Sequence, residues 1–139
     1  MKRLLFIFAV ILGTLQVWGQ EQRGFNPQRF EAEMEQFIVT EAGLSPQEAA
    51  AFFPVYKEMQ GKQRMLFNKM RRYRHIDTRD NAASLEAIKN MDSIDLQIKK
   101  LQQKYHLKFC DVLPAGKVLL VIKAEEKFHR QAFKKIWRR

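Results

Sequence analysis

Apolar residues recur along most of this chain in alternating steps of three and four, the period of one helical face, with no sustained two-residue alternation to mark a strand. Phe30, Met34, Phe37 and Ile38 define a short first helix that ends near Gly43, after a lead-in over 20–27 carrying Gly24, Asn26 and Pro27. Ser45-Pro46-Gln47-Glu48 then opens a second helix. The serine hydroxyl can accept from the Glu48 N–H while the Glu48 carboxylate reaches back, and proline occupies the first helical position, where a missing N–H costs nothing. Ala49, Phe52, Tyr56, Met59, Gln63, Leu66, Met70 and Tyr73 continue as one seam, which predicts an amphipathic helix to about His75, roughly 45 Å long. Pro54 cannot donate to the carbonyl of Ala50 and predicts a bend there.

Asp77-Thr78-Arg79-Asp80-Asn81 has no apolar residue and marks a hairpin loop. Leu85, Ile88, Met91, Ile94, Ile98, Leu101, Tyr105, Phe109 and Val112 predict a third helix about as long as the second. Two long helices joined by a short loop are expected to pack antiparallel. Leu113-Pro114-Ala115-Gly116 breaks the third helix, and Val118, Val121, Ile122, Phe128, Ala132 and Ile136 mark a fourth. The expected fold class is therefore all-α, four helices dominated by a long antiparallel helical hairpin. Helices of that length make an elongated body with a thin core, and the leftover apolar flanks predict a homodimer.

The first twenty residues lie outside this scheme. Met1-Lys2-Arg3 precedes an apolar run from Leu4 to Leu12 that continues to Leu15, and Val17-Trp18-Gly19 supplies a cleavage site. This reads as a secretory signal peptide over 1–19, leaving 20–139 as a single helical domain exported from the cytoplasm. The run is short for a membrane span. No Cys follows it, which argues against a lipid anchor.

The whole chain carries 25 Lys and Arg against 15 Asp and Glu; without Lys2 and Arg3 the excess is +8. Outside the cytoplasm that charge points away from nucleic acid and toward acidic protein segments, lipid headgroups or envelope polymers. Cys110 is the single cysteine, so no intrachain disulfide can form; it either links two chains or stays reduced and buried, and burial is the favoured expectation.

Nothing in the chain has the form of a nucleophile elbow, a Gly-rich phosphate loop, a His-Glu-x-x-His motif or a CxxC pair, so no catalytic residue and no cofactor are assigned. His106 and Cys110, four apart on one helical face, with His129 brought in by the fourth helix, are the best metal fragment, short of the three protein ligands zinc usually takes. The cations are unevenly spread: Lys62, Arg64, Lys69, Arg71, Arg72, Arg74 and Arg79 crowd the far half of the second helix, and Lys99, Lys100, Lys104 and Lys108 follow on the third. The plainer reading is a solvated face that keeps the protein soluble. As a set, with few acids interleaved, they point to an acidic surface that neutralises them. Phe53 and Phe67, two heptads apart, lie on a row beside the main seam. They either widen the core face or stand exposed beside the cations, an arrangement suited to unfolded segments.

Leu44-Ser45-Pro46-Gln47-Glu48 and Leu113-Pro114-Ala115-Gly116-Lys117 resemble the paired motifs of the LTxxQ family of periplasmic proteins, the Spy/CpxP-like chaperones and stress regulators. The first copy has Glu48 where the family has Gln; in the second, Pro114 stands for Thr and Lys117 for Gln. Phe52-Phe53-Pro54-Val55-Tyr56 is similar to a run in Bacteroidetes-type members. The resemblance implies a cradle-like antiparallel homodimer with a basic, partly apolar concave face, and ATP-independent holdase activity on unfolded or acidic protein segments. In some members it also implies control of an envelope stress sensor. On that reading the client-binding residues are Arg64, Arg71, Arg72, Arg74, Lys100, Lys104, Phe53 and Phe67. Some relatives sense metals, which makes a zinc-binding regulatory module the alternative; a helix pair resting on anionic lipid is a third reading.

Overall fold

A computed structural model describes residues 26–138; the expected leader over 1–19 lies outside the described residues. Among the described residues the chain is all-α, with no strand. Four α-helices follow in order: α1 (Pro27–Ala42), α2 (Pro46–Arg71), α3 (Asn81–Val112) and α4 (Ala115–Trp137). A 3₁₀ turn, Arg72–His75, extends α2 to the boundary the seam predicts.

Residues 26–33 and 34–138 belong to two compact units. In the first, Asn26 caps the start of α1, its Oδ1 accepting from the N–H groups of Gln28 at 3.1 Å and Arg29 at 3.3 Å. Pro27 then needs no donor, and the exposed Arg29–Glu33 pair at 3.1 Å adds the few tenths of a kcal/mol usual for such contacts.

In the second unit α1 ends because Gly43 adopts φ 62°, a left-handed conformation that glycine takes without a Cβ penalty. Leu44 N–H then reaches back to the carbonyl of Val39 at 3.1 Å, closing the cap, and its side chain is buried. The capping box forms as expected, with Glu48 N–H donating to Ser45 Oγ at 3.1 Å and Ser45 N–H donating to Glu48 Oε1 at 3.0 Å. α2 continues through Pro54. At its end the Arg72 N–H is shared between the carbonyls of Lys69 and Met70, which tightens the last turn into 3₁₀ geometry. Asp80 caps α3 by accepting from Ala83 N–H at 3.0 Å. Leu113 ends α3 in extended backbone, φ −132° and ψ 151°, because the proline behind it disfavours the helical region.

α2 packs chiefly on α3. Phe52 meets Phe109 at 4.8 Å between ring centroids and Tyr56 at 5.3 Å, and Tyr56 and Tyr105 both flank Phe109. Met34 and Ile38 from α1 and Val118, Val121 and Ala124 from α4 complete the core around these rings. The core is lopsided: α2 buries Phe52, Tyr56 and Met59 and nothing after them. On α3, Ile94 and Ile98 are buried, whereas Leu85, Ile88 and Met91, expected in the seam, are exposed. A helix pair covers one narrow line of contact, and the third and fourth layers that would widen it, α1 and α4, contribute buried residues only up to Leu44 and Ala124. Ile136 is exposed for the same reason. No helix among the described residues is long and apolar enough to cross a membrane.

Candidate functional site: a basic and apolar surface on α2 and α3

From Lys62 to Ile76 the chain contains no acidic residue. The helix places Arg64, Arg71, Arg72 and Arg74 in solvent, and Lys100 and Lys104 are likewise exposed on α3. Among the described residues Arg71, Arg72, Arg74, Lys100 and Lys104 enter no ion pair. Their neighbours Lys62 and Lys108 are used differently. Lys62 Nζ lies 3.4 Å from Glu58 and 5.3 Å from the centre of the Tyr105 ring, which Lys108 approaches at 4.8 Å. Tyr105 is fully buried and its hydroxyl donates to Glu58 Oε1 at 2.8 Å, a bond that, with Lys62, holds the Glu58 carboxyl below its ordinary range. These two lysines help to seat a core tyrosine.

The structure separates the two phenylalanines. Phe53 is half-buried and stacks on Phe52 at 5.1 Å and on Tyr56 at 5.9 Å, so it forms the rim of the aromatic core. Phe67 is 49% exposed and stands among the cations. Met65, Leu85, Ile88 and Met91 are also exposed, on the turns of α2 and α3 nearest the connection over 76–80. Sequence reasoning assigned Leu85, Ile88 and Met91 to the core because their spacing fits a seam; the signal that could have separated them is that the last turns of α2 interleave their apolar residues with Arg64, Lys69 and Arg71 and no acid.

The metal fragment does not assemble. Cys110 is exposed, not buried as expected, because it follows the fully buried Phe109 by one residue and is turned about 100° away from the core. His106 lies against Phe109 at 6.1 Å; burial, with Lys99 nearby, lowers its pKa. Among the described residues no three of His, Cys, Asp and Glu gather where one ion could be held. His106 instead borders a shallow open hollow with Lys99, Gln102, Gln103 and Leu107, all from α3.

Two polar contacts fix the core beside this surface. Lys117 Nζ donates to Glu48 Oε1 and, at 3.0 Å, to the carbonyl of Gly43. The segments Leu44–Glu48 and Leu113–Lys117 therefore meet: Lys117 does not cap α4 but ties its first turn to the α1–α2 corner. The Lys117 bond, followed by the Ser45 N–H, holds Glu48 below the usual carboxylate range. Deeper in, Tyr56 Oη lies 3.1 Å from both Glu125 Oε2 and Met34 Sδ. Burial pushes the Glu125 carboxyl up to about 7 against the lowering effect of the Tyr56 bond, and burial followed by Glu125 pushes the Tyr56 hydroxyl well above its ordinary value.

Comparison with known proteins finds no matching family model, no matching curated protein and no matching solved structure.

Proposed function

We propose that the chain is a binding module, an ATP-independent holdase of the bacterial envelope that captures unfolded or acidic protein segments on the α2–α3 surface. One observation carries this reading. Phe67, Met65, Leu85 and Ile88 stand in solvent, the first two in a stretch from Lys62 to Ile76 that carries Arg71 and Arg72 and no acidic residue, while Phe52, Tyr56, Tyr105 and Phe109 are buried toward the other end of α2 and α3. Like charges held together on a helix destabilise it, and exposed large apolar groups gain nothing for the isolated fold. Both features become favourable when a flexible partner supplies acidic and apolar groups: charge attraction speeds encounter and apolar contact prolongs the bound state.

The supporting geometry is the order of the contacts. Phe52 meets Phe109, while Glu58 and Lys62, further along α2, meet Tyr105, earlier in α3, as an antiparallel hairpin requires. The likeness of the Leu44–Glu48 and Leu113–Lys117 segments to LTxxQ motifs and the leader-like start, 1–19, support the further proposal of a cradle-like periplasmic homodimer. The arginine-rich face would then stay open, since two copies of it repel.

The test is light scattering from an aggregating client without nucleotide. The parent protein suppresses aggregation at stoichiometric amounts, and Arg64→Glu/Arg71→Glu/Arg72→Glu loses most of that suppression while its helicity persists. Unchanged suppression by the triple variant means that the patch only solubilises the protein; no suppression by the parent removes the holdase reading.

A further inference from the structure

The last third of the chain carries a second surface, distinct in chemistry from the first. Successive α-helical residues turn by about 100°. Val118, Val121 and Ala124, the buried residues of α4, therefore share one face with Phe128 and Ala132. About a quarter turn away Leu119 and Ile122 begin a second face, Glu126 and His129 interrupt it, and Phe133, Ile136 and Trp137 form its far end. Beyond that lies a third row at steps of three and four, Lys123, Lys127, Arg130, Lys134 and Arg138, of which Lys127 is paired with Glu41 of α1 at 2.9 Å and the others face outward.

The apolar row is not core that failed to be filled at one spot. Phe133 is 61% exposed, Ile136 72% and Trp137 76%, and the two rings lie against each other at 5.9 Å. Burial on α4 stops at Ala124, thirteen residues before its end. Charge is one-sided too: after Glu126 no acidic residue follows to the end of the chain, while Lys127, Arg130, Lys134, Lys135, Arg138 and Arg139 do.

We infer that this face of α4 docks on the surface of a bilayer containing anionic phospholipid, with Phe133, Ile136 and Trp137 entering the headgroup region and the cationic row lying along the phosphates. Three features select this occupant. The exposed apolar cluster of Phe133, Ile136 and Trp137, bordered by Arg130, Lys134 and Arg138 with no carboxylate after Glu126, matches an anionic surface with an apolar interior. Tryptophan at the end of the row has an apolar ring and one N–H donor, the combination that settles at the level of lipid carbonyls. A second copy of the same face would bring the cationic rows together and repel. The helix lies on such a surface and does not cross it, since it is not apolar enough to span.

The two tryptophans are Trp18 and Trp137, so the full chain carrying Trp18→Phe reports on α4 alone, whatever the leader does. The probe is unilamellar vesicles of mixed phosphatidylglycerol and phosphatidylcholine, against phosphatidylcholine only. The expected result is a blue shift of Trp137 emission and its quenching by brominated lipid, on the anionic vesicles alone, reversed by high salt. Arg130→Glu/Lys134→Glu/Arg138→Glu weakens the apparent affinity by about tenfold or more with helicity retained, and Phe133→Ser/Ile136→Ser removes the shift. No shift on anionic vesicles, or an equal shift on neutral ones, overturns the inference. A shift produced only by an unfolded protein assigns the row to clients, and one produced by raising the protein concentration alone assigns it to a second copy.

Discussion

The aromatic end of the α2–α3 pair and the end nearest the 76–80 connection are built from the same helices under the same periodicity, yet they differ in what their apolar residues do. At the first, Phe52, Tyr56, Tyr105 and Phe109 are buried, with residues of α1 and α4 completing the core, and two of its carboxylates are paired: Glu58 with Tyr105 and Lys62, Glu48 with Lys117. At the second, Met65, Phe67, Leu85 and Ile88 remain in solvent beside Arg71, Arg72 and Arg74. The lesson is that a three-and-four pattern identifies a helical face without saying whether a neighbour will cover it. Two helices alone cover one row each; the third and fourth decide where an apolar face becomes core.

The sharpest way to break this contrast is to truncate one large side chain in each region. Phe109→Ala leaves a cavity among Phe52, Tyr56 and Tyr105 and is expected to cost about 3–5 kcal/mol in chemical denaturation, enough to compromise folding. Leu85→Ala, at an exposed helix position, is expected to cost within about 0.5 kcal/mol. Comparable losses at the two positions mean that both ends are core.

Next in size is a pH effect confined to the packed end. The folded pKa of Glu125 is raised to about 7 from an ordinary 4.5 by burial, so the folded state binds the extra proton between those values. The contribution is fully present below about 4.5 and is lost as pH rises through about 7, at a cost of up to about 3 kcal/mol. Glu125→Gln keeps an acceptor for Tyr56 and removes the titration. Its melting temperature is therefore expected to exceed that of the parent at about pH 8 and to converge with it at about pH 5. Parallel pH profiles for the two proteins refute this.

Smaller still are the local signals at the α1–α2 corner. Gly43→Ala forces a Cβ into a left-handed backbone and is expected to cost about 1 kcal/mol, although open space surrounds the site. Ser45→Ala removes one half of the capping box, also for about 1 kcal/mol. Both are read from urea midpoints at constant slope.

Those corner residues were the most legible part of the sequence. Gly43, Ser45, Pro46, Glu48 and Pro114 act through backbone chemistry within a few residues, so their roles follow from local order alone. The four helices were legible through periodicity. What was not legible depended on distance in three dimensions. Lys117 looked like a departure from a motif, and only the meeting of α4 with the α1–α2 corner gives it partners in Glu48 and Gly43. Cys110 was placed near the seam by its neighbours Phe109 and Val112, but one residue of rotation puts it in solvent. Of the eight residues expected to bind clients, Phe53 turns inward to Phe52 and Tyr56, Phe67 stays exposed, and the six cations are exposed. Met65, Leu85, Ile88 and Met91 join that surface only once the extent of the core is known.

The most direct test of the account is site-specific photocrosslinking to an unfolding client, with p-benzoylphenylalanine replacing Phe67 or Leu85 on the α2–α3 surface and, separately, Leu119 on α4. All three positions are exposed and apolar, so reactivity alone does not distinguish them. The account predicts client adducts from positions 67 and 85, abolished by Arg64→Glu/Arg71→Glu/Arg72→Glu, and few from 119. Equal adducts at all three positions, or none at 67 and 85, would contradict it.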